Sequence, residues 1–182
     1  EPDVSITLSQ TGATPPIPAG DNITYSLGYT FSTGHYQNVE IVVDLPQPVW
    51  YIASTFPSGT TFVTNCQPDP TPLPPSSYSW KWRCTFSLNA LDLSAGGLSG
   101  EVLITAKSRK WAIPNGTELT ASATLNGEYE TSTGGPFAAL TEQDASTTTA
   151  FAASASVTLQ DSSHDSQFTQ PKWEKMTVGG VE

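Results

Sequence analysis

The sequence predicts an all-β protein folded as a two-sheet antiparallel sandwich, and three observations point to it. Residues 78–88 alternate apolar and polar side chains without a break, as a strand with one buried and one solvated face does. About eight short segments with strand character are separated by Gly- and Pro-rich turn signals, the spacing typical of a sandwich. No segment keeps a 3.6-residue period, so helices are not expected.

The segment 78–88 has the strongest apolar face of the chain, and the core is expected to form around it. Six side chains share one parity there: Tyr78, Trp80, Trp82, Cys84, Phe86 and Leu88. At roughly 1.5–3 kcal/mol for each large side chain that is buried, this face can anchor a core. We therefore expect Trp80 and Trp82 to be core residues.

The chain before this segment divides into five strand-like pieces. The first has Val4, Ile6 and Leu8 on one face, and Pro46 and Pro48 end the third. The connection from 11 to 21 holds three prolines and two glycines, which marks it as a loop. The five pieces are 3–9, 23–31, 39–45, 50–55 and 60–64.

Three further strands are predicted after the central segment, at 101–107, 118–125 and 147–160. A polar stretch from 126 to 144 separates the last two and is expected to be flexible. The sandwich is then complete at residue 160. We therefore expect one domain over residues 1–160 and an extended C-terminal arm over residues 161–182.

Composition and charge exclude some classes of partner. The 182 residues include 17 acidic and 7 basic side chains, a net charge of −10, which disfavours binding to a phosphate backbone. No apolar run approaches the ~18 residues of a membrane-spanning helix. We expect neither a nucleic-acid partner nor a membrane-spanning segment.

The two cysteines indicate the compartment in which the protein is found. Cys66 and Cys84 flank a proline-rich run, and a disulfide closing a loop of this size contributes about 3 kcal/mol. The alternative is two free thiols in a reducing compartment. A disulfide and the low charged fraction, 13%, favour an extracellular or cell-surface address, with the chain from Glu1 as the processed secreted form.

The sequence shows little reactive chemistry. His35 and His164 are the only histidines, and neither has a metal-ligand spacing. Cys84 lies on the apolar parity and is read as structural rather than reactive. We expect no catalytic residue, no cofactor and no metal site, although a calcium site assembled from several loops is left open. The chain is thus expected not to be an enzyme.

Exposed aromatic side chains suggest a second class of function, because sugar rings stack on aromatic faces. Trp50, Tyr51 and Trp111 lie near predicted turns and are the candidates for contacting a surface polysaccharide. The alternative for Trp111 is a residue covering one end of the sandwich. Asn22 and Asn115 begin Asn-x-Thr sequons near turns and are candidate glycosylation sites.

Four segments resemble a known family. Residues 19–25 (AGDNITY), 38–46 (NVEIVVDLP), 91–97 (LDLSAGG) and 115–125 (NGTELTASATL) resemble a conserved repeat domain of unknown function. That family is found, often in tandem, in bacterial and archaeal cell-surface proteins. The resemblance implies an immunoglobulin-like sandwich in a surface, stalk or adhesive protein, with no catalytic residue. The chain departs from the pattern at the turn 32–35, the long cysteine loop and the insertion 126–144.

The segment after residue 160 is expected to contact a neighbouring subunit. Ordering it costs ~1–2 kcal/mol per residue in backbone entropy, which a neighbouring subunit can offset through Trp173, Met176 and Val178. The other candidate for donation is the first strand, through Val4, Ile6 and Leu8. The sequence therefore predicts a non-enzymatic structural subunit that joins copies of itself through terminal strands, in a pilus-like filament or an adhesive stalk. The alternative is a carbohydrate-binding module.

Overall fold

The structure is a computed structural model that describes residues 2–47, 49–56, 62–69, 81–109 and 113–153, and the backbone of 157–161 and 173–178. Thirteen strands lie in these ranges. They are β1 Val4–Thr11, β2 Ile17–Pro18, β3 Asn22–Phe31, β4 His35–Asp44, β5 Val49–Thr55, β6 Val63–Pro68, β7 Trp82–Asp92, β8 Leu98–Ser108, β9 Glu118–Glu130, β10 Phe137–Ala139, β11 Gln143–Ala152, β12 Val157–Asp161 and β13 Trp173–Val178.

Two sheets form the sandwich. Sheet I has the strand order β1-β3-β8-β5. Sheet II has the order β2-β11-β9-β4-β7-β6, with β10 beside β9. The strands β12 and β13 pair only with each other, in a separate two-stranded sheet.

The connectivity is immunoglobulin-like. Strands β1, β3, β8 and β5 have the order of the A, B, E and D strands, and β11, β9 and β4 have that of G, F and C. The chain also crosses between sheets at its start, because β2 leaves β1 and pairs in parallel with β11, Ile17 opposite Phe151. The predicted class, an all-β immunoglobulin-like two-sheet sandwich, is confirmed.

The core follows the period-2 pattern of the sequence. Every second residue of β3 is buried from Ile23 to Phe31. Val102, Ile104 and Ala106 lie beside them on the neighbouring strand β8 and are buried on the same face of sheet I. Sheet II supplies the opposite layer of the core. Its buried side chains include Val39, Ile41, Val43, Cys84, Phe86, Ala121, Ala123, Leu125 and Phe151.

Phe86 lies in an aromatic cluster of the core. Its ring meets Phe56 and Phe62 edge to face at 5.8 and 6.4 Å between centroids, and Phe62 also meets Tyr29 at 5.2 Å. Trp82 differs from the expectation of a core residue, because it is only partly buried. It begins β7 opposite Pro68 of β6, the outermost strand of sheet II among the described residues. Trp80 lies outside the described residues.

Two predicted segments differ in the structure. The expected strand 147–160 is divided, since β11 ends at Ala152 and β12 begins at Val157 to pair with β13. The expected flexible stretch 126–144 instead continues β9 to Glu130 and returns as β10. The turn between them contains Gly134 with φ 70°, a backbone conformation that glycine adopts without strain.

Candidate interaction surfaces

The disulfide ties the outer edge of sheet II. Cys66 and Cys84 are bonded and stand directly opposite each other on β6 and β7. Strand β6 pairs with β7 alone, so in the described residues the bond is its one covalent tie to the sheet. The predicted pairing of the two cysteines is confirmed.

The N-terminal strand is used inside the chain itself. Val4, Ile6 and Leu8 are each at most 8% exposed, and β1 pairs with β3 over eight residues, from Val4 opposite Phe31 to Thr11 opposite Thr24. These three side chains therefore complete the core of their own sandwich.

The C-terminal segment forms a hairpin of its own. Strand β13 runs antiparallel to β12, with Val178 opposite Val157 and a register shift between Gln160 and Asp161. No other described strand pairs with either of them. The side chains of Trp173, Met176 and Val178 lie outside the described residues, so their predicted contacts with a neighbour stay predictions.

The two described candidate stacking residues, Trp50 and Tyr51, differ in their surroundings. Tyr51 stands opposite the buried Ala106 and turns inward, where its ring lies 6.2 Å from that of Trp82 and its hydroxyl meets Ser54 Oγ at 3.0 Å. Trp50 stands opposite Lys107 and is half-buried. Trp111 lies outside the described residues.

Both sequons are at the surface. Asn22 is exposed at the first position of β3. Asn115 is exposed in a turn completed by Gly116 at φ 79°, and its Oδ1 accepts a hydrogen bond of 3.3 Å from the amide of Ala153. Glycosylation of either stays a prediction.

The sandwich has two ends that differ in charge. At one end β4 and β8 finish and β7 begins, and we call it the cationic end. At the other end β3 finishes and β4 begins, and we call it the carboxylate end. The chain enters the sandwich at the carboxylate end, since Val4 stands opposite Phe31. It leaves at the cationic end, because β11 pairs antiparallel to β9 and its last paired residue, Ala150, is opposite Glu118.

At the cationic end, Asp44 is held between two basic side chains. Arg83 Nε donates to Asp44 Oδ1 at 2.8 Å, and Lys81 Nζ donates to Oδ2 at 3.2 Å. Arg83 also lies 3.6 Å from Asp69 Oδ2. Burial alone would raise the pKa of Asp44, but these hydrogen bonds and positive charges outweigh it and lower that pKa.

At the carboxylate end, acidic side chains surround His35. Its ring nitrogens lie 3.6 Å from Asp92 Oδ1 and 3.9 Å from Glu130 Oε2. The amide of Ser94 donates to Asp92 Oδ1, which lowers the pKa of that carboxyl. Glu128 Oε2 accepts hydrogen bonds from Gln37 and Asn38.

Sequence reasoning missed both groupings. Asp92 and Glu130 are far apart in the chain, and only the pairing of β4 with both β7 and β9 brings them to His35. The alternating pattern could place each residue on a face, but not at a level along the strand. Within the described ranges, no three His, Cys, Asp or Glu side chains are arranged to hold a metal ion. The described residues also contain no helix of the length and apolarity needed to cross a membrane.

The fold and these surfaces define an immunoglobulin-like β-sandwich protein with a separate C-terminal hairpin. No protein-family model matches the chain, and no curated protein matches it. The resemblance to the cell-surface repeat domain therefore stays a prediction at the level of the family.

Solved structures of similar shape are β-sandwich proteins. The major pilin SpaD from Corynebacterium diphtheriae is 13% identical with a TM-score of 0.48, and the match covers 81% of this chain and 35% of SpaD. A cohesin module from a Clostridium perfringens family 33 glycoside hydrolase is 9% identical with a TM-score of 0.45, covering 82% of this chain and 98% of the module. BcpA, the major pilin subunit of Bacillus cereus, is 11% identical with a TM-score of 0.42, covering 86% of this chain and 41% of BcpA.

This chain thus spans well under half the length of either pilin. At such identities and TM-scores, nothing about what this chain binds follows from the likeness.

Proposed function

We propose that the protein is a non-enzymatic extracellular structural subunit that joins copies of itself end to end, in a pilus-like filament or as a module of an adhesive stalk. One observation carries the proposal: the chain enters the sandwich at one end, leaves it at the other, and then forms a separate hairpin. A subunit of this kind reaches a neighbour along the strand direction without rearranging its own core.

The hairpin supplies the reason for contact with a neighbour. An isolated two-stranded sheet is at best marginally stable in water and gains stability from a third strand or a packed face. The β12–β13 pair finds no third strand among the described residues of its own chain. Pairing with a sheet edge of the next copy satisfies its main-chain groups, and side chains of the added strand give specificity.

The C-terminal segment is the better donor of the two predicted ones. Val4, Ile6 and Leu8 are already buried, and withdrawing β1 would expose that apolar surface at about 25 cal/mol per Å². Trp173, Met176 and Val178 follow the completed sandwich, so they can contact a neighbour at no cost to the core. We assign the inter-subunit contact to these three residues.

The disulfide supports the extracellular address. Disulfides persist in oxidising compartments, outside the cell or on its surface, and are rare in the cytosol. The Cys66–Cys84 bond joins a strand that has one neighbour only, where a covalent tie limits fraying of the edge.

Truncation tests the proposal. The full chain and a chain ending at Ala153 are compared by light scattering and negative-stain microscopy. We expect the full chain to form linear oligomers and the shortened chain to stay monomeric, with the same urea midpoint for the sandwich. A shortened chain that assembles like the full one contradicts the assigned contact, and a full chain that stays monomeric contradicts self-assembly.

A matched pair of point variants sharpens the test. Met176→Asp places a charge on one of the assigned contact residues, whereas Thr177→Asp places the same charge on its polar neighbour in the sequence. We expect Met176→Asp to abolish assembly and Thr177→Asp to weaken it much less. Equal effects of both variants would argue for a charge effect rather than an apolar contact.

A further inference from the structure

Charged residues are segregated along the length of the sandwich. All Lys and Arg side chains in the described part of the sandwich are at the cationic end. Lys107 stands opposite Asn22, the first residue of β3, and Arg83 stands opposite Asp44, the last residue of β4. The set is Lys81, Arg83, Lys107 and Arg109.

The opposite end has carboxylates instead. Asp92 and Glu130 flank His35, and Glu128 stands opposite Gln37. With Asp3, which precedes β1, four carboxylates gather there. No Lys or Arg of the described residues accompanies them.

The two ends therefore differ in net charge. The cationic end sets five acids, Asp21, Asp44, Asp69, Glu118 and Asp144, against its four bases, which gives a sum of −1. The carboxylate end has a sum of −4 with His35 neutral. The remaining described acids of the sandwich, Glu40, Glu101 and Glu142, lie between the ends.

We propose that the carboxylate end of one copy docks against the cationic end of the next, so that charge sets a head-to-tail order. This inference rests on the proposed function and names the surfaces that meet. Two carboxylate ends repel each other, which disfavours the reversed contact of two copies. Only when all copies point the same way does the strongly negative end meet the end where the bases lie and the charges nearly cancel.

The path of the chain agrees with this order. Strand β11 leaves the sandwich at the cationic end, and after four residues the hairpin begins, with Lys175 in β13. The carboxylate end of the next copy would thus arrive where the hairpin begins. Asp92, with 66% of its side chain exposed, and Lys107, on the outer face of sheet I, are the residues through which we test the contact.

Charge reversal and its rescue are the experiment. Asp92→Lys and Lys107→Glu are each made alone and then together in the full chain. We expect each single change to raise the concentration needed for assembly by on the order of tenfold, the effect of about 1.4 kcal/mol at the contact. The combined variant restores opposite charges at these two positions, and we expect it to assemble at a lower concentration than either single variant.

Glu40→Lys is the matched control. It makes the same change in net charge as Asp92→Lys, at an exposed position in the middle of β4. We expect it to leave the assembly concentration within about twofold of wild type, since its charge lies away from both ends. Urea unfolding of each variant shows whether the sandwich is intact.

Ionic strength is a second measurement that needs no variant. Raising salt from about 0.05 to 0.5 M shortens the Debye length to a few ångströms, so we expect wild-type assembly to weaken. Wild-type filaments that resist salt and form equally well with Asp92→Lys or Lys107→Glu overturn the inference and leave the proposed function standing. A wild-type chain that never assembles overturns both.

Discussion

Asp44 is the described carboxylate with the most basic neighbours, and its ionisation is coupled to folding. Lys81 and Arg83 hold its pKa below the unfolded value near 3.9. A lowered folded pKa contributes stability that is present above the unfolded value and is lost as the pH falls through the folded one. Because both bases are over two-fifths exposed, the pairs contribute about 1 kcal/mol at neutral pH.

We therefore predict that Asp44→Asn lowers the free energy of unfolding at neutral pH by about that amount and flattens its decline in acid. The measurement is urea unfolding between about pH 6 and 3. Glu40→Gln removes an exposed carboxylate from the same strand and serves as the control. A decline in acid that is the same with and without Asp44 would show that other carboxylates dominate it.

Strand β6 shows how one covalent bond can substitute for a missing neighbour. It has six residues, mostly exposed, and it pairs with β7 alone. We predict that Cys66→Ala with Cys84→Ala lowers the free energy of unfolding by about 3 kcal/mol, the entropy of a loop whose ends are 18 residues apart. Urea unfolding measures this loss.

Two controls accompany the cysteine variant. Alkylation under denaturing, non-reducing conditions should add no mass to the wild type, and amide exchange should show the extra loss of protection in β6 before the rest of sheet II. Loss of protection spread evenly over both sheets would contradict a local role for the bond.

Period-2 alternation explains which elements could be predicted. Strand β3 was clear because five of its inward residues are large and apolar, from Ile23 to Phe31. Strand β11 was misjudged because small and polar residues such as Ala and Thr occupy both its faces, so nothing in the pattern marks where pairing with β9 stops. Strand β10 was missed because only three residues of it pair.

The grouping of charged residues at the two ends of the sandwich could not be predicted from the sequence. A pattern of alternating residues assigns each side chain to a face, whereas its level along the strand depends on register with strands that are distant in sequence. Asp92, Glu128 and Glu130 meet at one end because β4 lies between β7 and β9. The net charge of −10 follows from the composition, but its uneven distribution does not.

Entry and exit at opposite ends also decide how the molecule carries tension. Pulling on Val4 and on the end of β11 directs the force along the strands, so that the eight opposed residue pairs of β1 and β3 resist sliding together. Force applied between two points at the carboxylate end would instead separate the pairs of a ladder one after another.

We predict that the sandwich unfolds at a higher force when single molecules are held at residues 2 and 153 than when they are held at residues 2 and 95. Residue 95 lies in the turn between β7 and β8, at the same end as the start of β1. Equal forces in the two geometries would contradict the prediction. Where copies are joined end to end, a load on the assembly would fall on β1 and β3 in shear, the direction in which a ladder of hydrogen bonds shares the load among all its rungs.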